Sequence, residues 1–262
     1  MKYIITLMLV LLMDSSNITL AQNNQVTIIA HRGASGIAPE NTLSAIKEAI
    51  NLNADYAELD VQETADGEII LLHDNALKRT TGLDKNIWIT NYDEIKFLDA
   101  GSCFSEKYKG EPIPKFKDVI DLVRGKLKLN IELKTNGHEK QLADRVVKIV
   151  KDKNFSKECF FTSFDYAQIK RVKEIDSTLK VGLIFKKMPD TTDVFKLKIE
   201  ALSVHYSLID QSFISKASES DKEIFVWTVN DENEMKKFVE LNVKGIITNY
   251  PDKLKKVINE FE

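Results

Sequence analysis

Short apolar runs alternate with amphipathic stretches along most of the chain. In several of the longer stretches, apolar residues recur at i, i+3, i+4 and i+7, which is the period of a helix with one buried face. Asn230, which precedes Asp231 and Glu232, is expected to be the N-cap of one such helix. The apolar runs predict eight strands: Val26–Ala30, Tyr56–Val61, Lys128–Leu133, Cys159–Phe164, Val181–Phe185, Leu202–Tyr206, Ile224–Val229 and Gly245–Thr248.

This alternation predicts an α/β fold, a single (β/α)8 barrel of the TIM type. A doubly wound parallel sheet has the same alternation and is the alternative. The ends of the strands favour the barrel, because all of them meet at one mouth, where barrel active sites are built. Polar or aromatic residues recur at these ends: Arg32, Glu58, Asp60, Glu132, Lys134, Ser163, His205, Trp227 and Asn249.

The segment Glu58–Asp74 is predicted to be a β-hairpin. With Asp66-Gly67 as a two-residue turn, the register pairs Asp60 with His73. Directly opposed residues share a face, so His73 is expected to stand beside Asp60. A slip by one residue would turn His73 away from this face.

The stretch after the hairpin, residues 75–114, contains no clean strand and one expected short helix near Asn91–Leu98. We interpret it as a small insertion after the second strand, lying over the barrel mouth. Loops in this position commonly select the substrate.

The first 21 residues predict a signal peptide. Lys2 precedes an apolar run from Tyr3 to Met13, which is shorter than the ~20 residues of a membrane span. Ala21 is a small residue before a cleavage site at Ala21/Gln22. We therefore expect an exported mature domain of residues 22–262, periplasmic or secreted, without a membrane span; a buried first helix is the alternative.

Composition excludes some classes of function. The chain has 262 residues, a length that suits one barrel or two ordinary domains. Its formal net charge is -3 and it has no basic cluster, which argues against a nucleic-acid partner. Cys103 and Cys159 are predicted at opposite ends of the barrel and are expected to remain free thiols.

Carboxylates occur at positions that point to a metal. Glu58 and Asp60 share one face of a strand, because strand side chains alternate. Glu132 and Lys134 repeat this spacing on another strand. Inward-facing carboxylates are costly to bury unless a cation neutralises them. Oxygen ligands without a neighbouring cysteine favour a hard divalent cation, Mg²⁺ or Ca²⁺.

Two histidines are candidates for acid–base chemistry near neutral pH. His31 directly follows the first strand and His73 ends the hairpin. His205 and Trp227, at later strand ends, are weaker candidates for substrate contact, with packing roles as the alternative. His138 lies in a polar loop and is expected to be solvated.

A run of motifs in a fixed order resembles the glycerophosphodiester phosphodiesterase family. Singly each motif is weak, but the ordered series is specific and extends from about Val26 to the C-terminus. The motifs are His31-Arg32-Gly33, Pro39-Glu40-Asn41-Thr42, Glu58-Leu59-Asp60-Val61, Asp66-Gly67, His73-Asp74, Glu132-Leu133-Lys134, Trp227-Thr228-Val229-Asn230 and Gly245-Ile246-Ile247-Thr248.

The resemblance implies hydrolysis of a small-molecule phosphodiester to glycerol 3-phosphate and an alcohol. It assigns the divalent metal to Glu58, Asp60 and Glu132, and acid–base catalysis to His31 and His73. Arg32 would contact the phosphate, Lys134 would face it, and Glu40 and Asn41 would support the first loop. Two alternatives stay open: a lysophospholipase D or phospholipase C acting on lipids, and a non-catalytic phosphodiester-binding surface protein.

Overall fold

The computed structural model describes residues 26–261, in which eight parallel strands close into a barrel. β1 pairs in parallel with both β2 and β9, which closes the barrel and excludes an open doubly wound sheet. β3 is the one antiparallel strand of this sheet and pairs with the far end of β2. The strands are β1 (Thr27–Ala30), β2 (Tyr56–Glu63), β3 (Ile69–Leu71), β4 (Lys128–Leu133), β5 (Cys159–Ser163), β6 (Val181–Phe185), β7 (Ala201–His205), β8 (Glu223–Trp227) and β9 (Gly245–Thr248).

Helices follow the strands and cover the outside of the barrel. They are α1 (Leu43–Asn51), α2 (Lys78–Thr81), α3 (Tyr92–Ile95), α4 (Phe116–Val123), α5 (Leu142–Asp152), α6 (Tyr166–Ile175), α7 (Gln211–Glu219), α8 (Glu232–Glu240) and α9 (Pro251–Asn259). Short 3-10 turns occur at Ile87–Ile89, Glu106–Tyr108, Val194–Lys196 and Tyr206–Leu208. The strands and the periodic helices therefore confirm the predicted barrel.

Alternation along each strand divides its side chains between two cores. Ala57, Leu59 and Val61 of β2 face outward into the main core beneath the helices. A smaller cluster fills the barrel interior, where the Phe160 and Phe225 rings stack with centroids 5.0 Å apart. Along β4, Glu132 lies two residues beyond Asn130, the partner of Phe160, and is therefore nearer the mouth than this cluster.

The hairpin register differs from the prediction. Val61 pairs with Leu71 and Glu63 with Ile69, so the ladder is displaced by one residue, and the Leu72 amide donates to the Asp60 carbonyl at 3.0 Å. The predicted Asp60–His73 pair is therefore wrong. The turn has three residues rather than two, because Gly67 adopts φ 84° and its amide bonds to the Thr64 carbonyl at 3.0 Å.

Residues 75–114 hold α2, α3 and two of the 3-10 turns around a small apolar cluster that they share with Ile70 and Leu72 of the hairpin. The helix expected near Asn91–Leu98 is present as α3, one turn long. The Trp88 ring stacks on His138 with centroids 4.4 Å apart, so this exposed histidine attaches the insertion to the loop after β4. Cys103 and Cys159 are free, as expected.

The predicted N-cap of α8 is also displaced by one residue. The Asp231 carboxylate accepts hydrogen bonds from the amides of Asn233 and Glu234, at 2.9 and 3.1 Å. Asn230 instead uses its side-chain oxygen to accept from the Asn249 amide at 2.9 Å. The Asn230 side chain therefore fixes the residue that follows β9, rather than the helix.

The predicted signal segment and its cleavage site lie outside the described residues. Among residues 26–261, no helix has the length and apolar character needed to cross a membrane.

Candidate active site

Three carboxylates converge at the carboxyl ends of β2 and β4. The parallel register places Asp60 beside Glu132, and Glu58 lies two residues before Asp60 on the same face. One oxygen of each residue lies within 4.8 Å of the others, and all three side chains are buried. The side-chain alternation used in the sequence analysis therefore brings together the three residues it singled out.

The protein balances this charge incompletely. Arg32 lies with its Nε 3.3 Å from Asp60 Oδ2, and Lys134 Nζ lies 2.9 Å from Glu132 Oε1. Burial, with Asp60 as the next cause, raises the pKa of Glu132 to about 7, and burial raises the pKa of Glu58 well above its usual value. Glu58 Oε1 is buried and has no hydrogen-bond partner among residues 26–261. The site therefore has three carboxylates, two neighbouring cationic side chains and one carboxylate oxygen without a partner. This arrangement fits a hard divalent cation.

The loop after β1 turns sharply to bring Arg32 to the carboxylates. Arg32 has φ 53° and its amide donates to Glu58 Oε2 at 2.9 Å. Gly33 has φ 79°, and a Cβ there would lie 2.7 Å from the Ala45 backbone. Arg32 NH1 also donates to Glu40 Oε1 at 2.9 Å. The conformation of this loop thus depends on glycine and on the carboxylates it approaches.

Asn41 attaches the end of this loop to β2. Its Nδ2 donates to Asp60 Oδ2 at 2.8 Å, and its Oδ1 accepts from the Asp60 amide at 3.2 Å. Because the bond occupies one Asp60 oxygen, it orients the carboxylate as well as the loop. Glu40 thus contacts Arg32 of the first loop, and the Asn41 side chain contacts Asp60 of β2.

His31 lies beside the trio with one ring nitrogen left free. Its Nδ1 donates to Asn249 Oδ1 at 2.6 Å, so Nε2 is the atom that faces the site, 3.9 Å from Glu58 Oε2. Burial, together with the Arg32 guanidinium, lowers the pKa of His31 to about 4. His31 is therefore a neutral imidazole at pH 7 in this state.

His73 reaches the same site in spite of the displaced register. β3 ends at Leu71, so His73 lies in a bend and strand alternation no longer decides its direction. Its Nδ1 lies 2.7 Å from Asp74 Oδ1, a contact that leaves Nε2 free. The expectation that a slip of one residue would remove His73 from the site is wrong for this reason.

Gln62 fixes the backbone of that bend and was missed in the sequence analysis. Its fully buried side-chain Nε2 donates to the carbonyls of Leu72, His73 and Asp74, at 2.9, 3.3 and 2.8 Å. Its Oε1 accepts from Asn136 at 3.2 Å. The signal was present in the sequence, because Gln62 continues the face that carries Glu58 and Asp60.

A cavity of about 110 Å³ at this site has a charged side and an aromatic side; Asp60, Asn41 and Gln62 lie behind its lining. Phe164 and Trp227 form the aromatic side, edge to face with centroids 5.6 Å apart. His205 is not in the lining; it packs edge-on against Trp227, 5.1 Å between centroids. The charged side consists of His31, Arg32, Glu58, His73, Glu132 and Lys134.

A larger groove of about 660 Å³ lies elsewhere, around the start of β8 and the turn between α8 and β9. Its lining includes Gln211, Lys222 and Asn242 and none of the candidate site residues. The candidate site residues therefore line the smaller cavity and not the larger groove.

Comparison with known proteins gives a consistent result. Residues 31–253 match the model of the Glycerophosphoryl diester phosphodiesterase family. A glycerophosphodiester phosphodiesterase from Caldanaerobacter subterraneus subsp. tengcongensis is 36% identical over 235 residues, covering 87% of this chain and 95% of that protein. Another, from Bacillus subtilis, is 30% identical and covers 89% of this chain and 87% of that protein.

One solved structure of high similarity is a phosphodiesterase of Oleispira antarctica in complex with the product sn-glycerol-3-phosphate. It superimposes with a TM-score of 0.84 at 30% identity, covering 89% of this chain and 96% of that chain.

Proposed function

Because this chain belongs to the glycerophosphoryl diester phosphodiesterase family, we propose that it hydrolyses glycerophosphodiesters to glycerol 3-phosphate and an alcohol. The observation that carries the proposal is a cavity lined by two histidines and by two members of the buried carboxylate trio, Glu58 and Glu132. The relatives' names and the bound product of the Oleispira antarctica protein support the same reaction.

The proposed cofactor is Mg²⁺ or Ca²⁺ held by Glu58, Asp60 and Glu132. The unpartnered Glu58 oxygen and the raised pKa of Glu132 support this assignment, since both reflect negative charge that the protein does not neutralise. When bound, such an ion supplies positive charge to a phosphoryl oxygen. Arg32 and Lys134 supply further positive charge from the same side of the cavity.

Proton transfer is assigned to the two histidines. One imidazole Nε2 removes the proton of the attacking hydroxyl as its oxygen bonds to phosphorus. The other histidine, which carries a proton on Nε2 as well as on Nδ1 when the reaction begins, donates the Nε2 proton to the alkoxide as the bond between phosphorus and the leaving oxygen breaks. Asn249 and Asp74 hold the Nδ1 atoms of His31 and His73, so both Nε2 atoms are kept for substrate. Each transfer is worth roughly 10²–10⁴-fold in rate.

The aromatic side of the cavity is proposed to pack against carbon atoms of the substrate. Trp227 and Phe164 offer apolar faces opposite the charged residues, which suits a molecule with a phosphate at one end and carbons at the other. His205 is proposed to keep the Trp227 ring in place rather than to touch substrate, because the two rings form a T-shaped contact and His205 does not line the cavity.

The test is release of glycerol 3-phosphate from a panel of glycerophosphodiesters and lysophospholipids. Purified protein is assayed after chelation and again with Mg²⁺ or Ca²⁺ restored. Metal-dependent release from the glycerophosphodiesters is expected. Release of lysophosphatidate from lysolipids would indicate a lysophospholipase D instead, and binding of diesters without turnover would indicate a binding protein.

We also propose export through residues 1–21. The supporting observation is the cationic residue and short apolar run of the sequence. N-terminal sequencing of the extracytoplasmic protein should give a start near Gln22, and an intact Met1 on cytoplasmic protein would refute it.

A further inference from the structure

Arg79 on α2 bridges two carboxylates that stand behind different parts of the site. Its Nε donates to Asp74 Oδ2 at 2.6 Å. Its NH1 and NH2 donate to Glu40 Oε2 and Oε1, at 2.8 and 2.7 Å. Three donors of one planar guanidinium are therefore used in a fixed geometry, which a lysine cannot reproduce.

Each of these two carboxylates also contacts a residue that lines the cavity. Asp74 Oδ1 lies 2.7 Å from His73 Nδ1, and Glu40 Oε1 accepts from Arg32 NH1 at 2.9 Å. An unbroken chain of hydrogen bonds thus runs from the imidazole of His73 through Asp74, Arg79 and Glu40 to the guanidinium of Arg32. It joins the proposed acid–base group to the proposed phosphate-binding group through the insertion.

Removal of Arg79 would leave Asp74 and Glu40 as neighbouring carboxylates without the cation between them. Arg79 is also the main cause that lowers the pKa of Asp74 to about 2. Asp74 and Glu40 are both only partly exposed, at 33% and 22%, so neither is free to be fully solvated where it stands. Mutual repulsion is then relieved by rotation, which releases His73, Arg32 or both.

We infer that Arg79 is a positioning residue that couples the orientation of His73 to that of Arg32. The inference rests on the proposed function for the roles of those two residues. It assigns the insertion a part in assembling the site.

The first test is the kinetics of Arg79→Ala. Loss of the bridge should lower kcat through His73 and raise KM through Arg32, with a combined loss in kcat/KM of roughly 10–100-fold, as is typical for residues that orient a site. Arg79→Lys should recover only part of the loss. Because Arg79 is 48% exposed, guanidinium ion at non-denaturing concentration should restore activity to Arg79→Ala, and methylammonium should restore less.

Arg171→Ala is the matched control. Arg171 is also 48% exposed, and two of its nitrogens donate to the Asp144 carboxylate at 3.0 and 2.6 Å. It lies on α6, outside the barrel. The control should match the wild type in kcat and KM. An equal loss of kcat/KM in Arg79→Ala and Arg171→Ala would mean that breaking any exposed arginine–carboxylate pair has this effect, and would overturn the inference.

Double variants separate positioning from a general structural role. The kcat effect of Arg79→Ala should disappear in an Asp74→Asn background, and its KM effect should disappear in a Glu40→Gln background. Losses that simply multiply in both backgrounds would overturn the coupling. Thermal unfolding of each variant identifies any that fail to fold, and Arg79→Lys then serves in place of Arg79→Ala.

Calorimetric titration with glycerol 3-phosphate separates this inference from the proposed function. A wild type that binds glycerol 3-phosphate but hydrolyses no diester would refute the function. Weaker binding by Arg79→Ala than by Arg171→Ala would still support the link to Arg32. The inference would be refuted if Arg79→Ala and Arg171→Ala bind glycerol 3-phosphate equally and, provided that the wild type hydrolyses diesters, also have equal kcat.

Discussion

Removal of divalent metal should destabilise the folded protein more as the pH rises. The relevant groups are the buried carboxylates, above all Glu132, whose pKa is raised from 4.5 to about 7 by burial and by Asp60. Below pH 4.5 Glu132 is protonated in both the folded and the unfolded chain. Between pH 4.5 and 7 the unfolded chain loses this proton and the folded chain keeps it. The free energy of unfolding of the metal-free protein therefore falls across this window.

The size of the effect follows from the two pKa values. At about 1.36 kcal/mol per pH unit, the difference between 4.5 and about 7 costs about 3 kcal/mol once the pH exceeds 7. Glu58, whose pKa is also raised, adds to the loss in the same direction. For a domain of this size, ~3 kcal/mol corresponds to roughly 6–12 °C in Tm. A divalent cation bound to the ionised trio of the folded chain should return this stability.

The assay is thermal unfolding between pH 5 and 8, with a chelator and with Mg²⁺ or Ca²⁺. We expect a small effect of metal on Tm at pH 5 and a large one at pH 8. Glu132→Gln, which has no titrating group at this position, should show a flatter pH dependence without metal and a smaller gain with it. A chelated wild type whose Tm does not change over this range, or a metal effect of equal size at pH 5 and 8, would refute the reasoning.

Three further outcomes test single residues of the site and of the fold. His31→Ala and His73→Ala should each lower kcat by at least ~10²-fold with unchanged metal-dependent stabilisation; near-normal turnover in either would remove it from the acid–base pair. Gln62→Leu leaves three carbonyls without their donor and should therefore cost about 1–3 kcal/mol of stability and lower kcat. An unchanged kcat would mean that the backbone around His73 keeps its conformation without Gln62. Alkylation at pH 8 should modify the exposed Cys103 of the folded protein and spare Cys159, because burial raises the pKa of the Cys159 thiol to about 12. Modification of both thiols at equal rates would show that the folded chain opens around β5.

The elements that the sequence predicts well are those whose signal is local. Each strand is a short apolar run, and the burial of β2 and β4 on their outer face leaves the alternate positions for Glu58, Asp60 and Glu132. Period two is a property of the backbone itself, so it places the carboxylates on one face without knowledge of any distant contact. The metal candidates could therefore be identified before the fold was known.

Arg79 could not be identified in this way. Its partners Asp74 and Glu40 lie five and 39 residues away in sequence, and nothing in the local pattern of α2 distinguishes it from a solvated surface arginine. Its role depends on where the insertion packs against the first loop. Tertiary packing of this kind has no periodic signal.

The hairpin shows how a wrong local inference can still accompany a correct site. A two-residue turn at Asp66-Gly67 was the simplest interpretation of the sequence, but Gly67 closes a three-residue turn and displaces the ladder by one. Strict alternation would then point His73 away from Asp60. The strand instead ends at Leu71, and Gln62 holds the next three carbonyls by hydrogen bonds from its amide. The direction of the His73 side chain is therefore set by the buried Gln62 side chain and not by the β register. A change at Gln62 should disturb the orientation of His73, although the two residues lie on different arms of the hairpin.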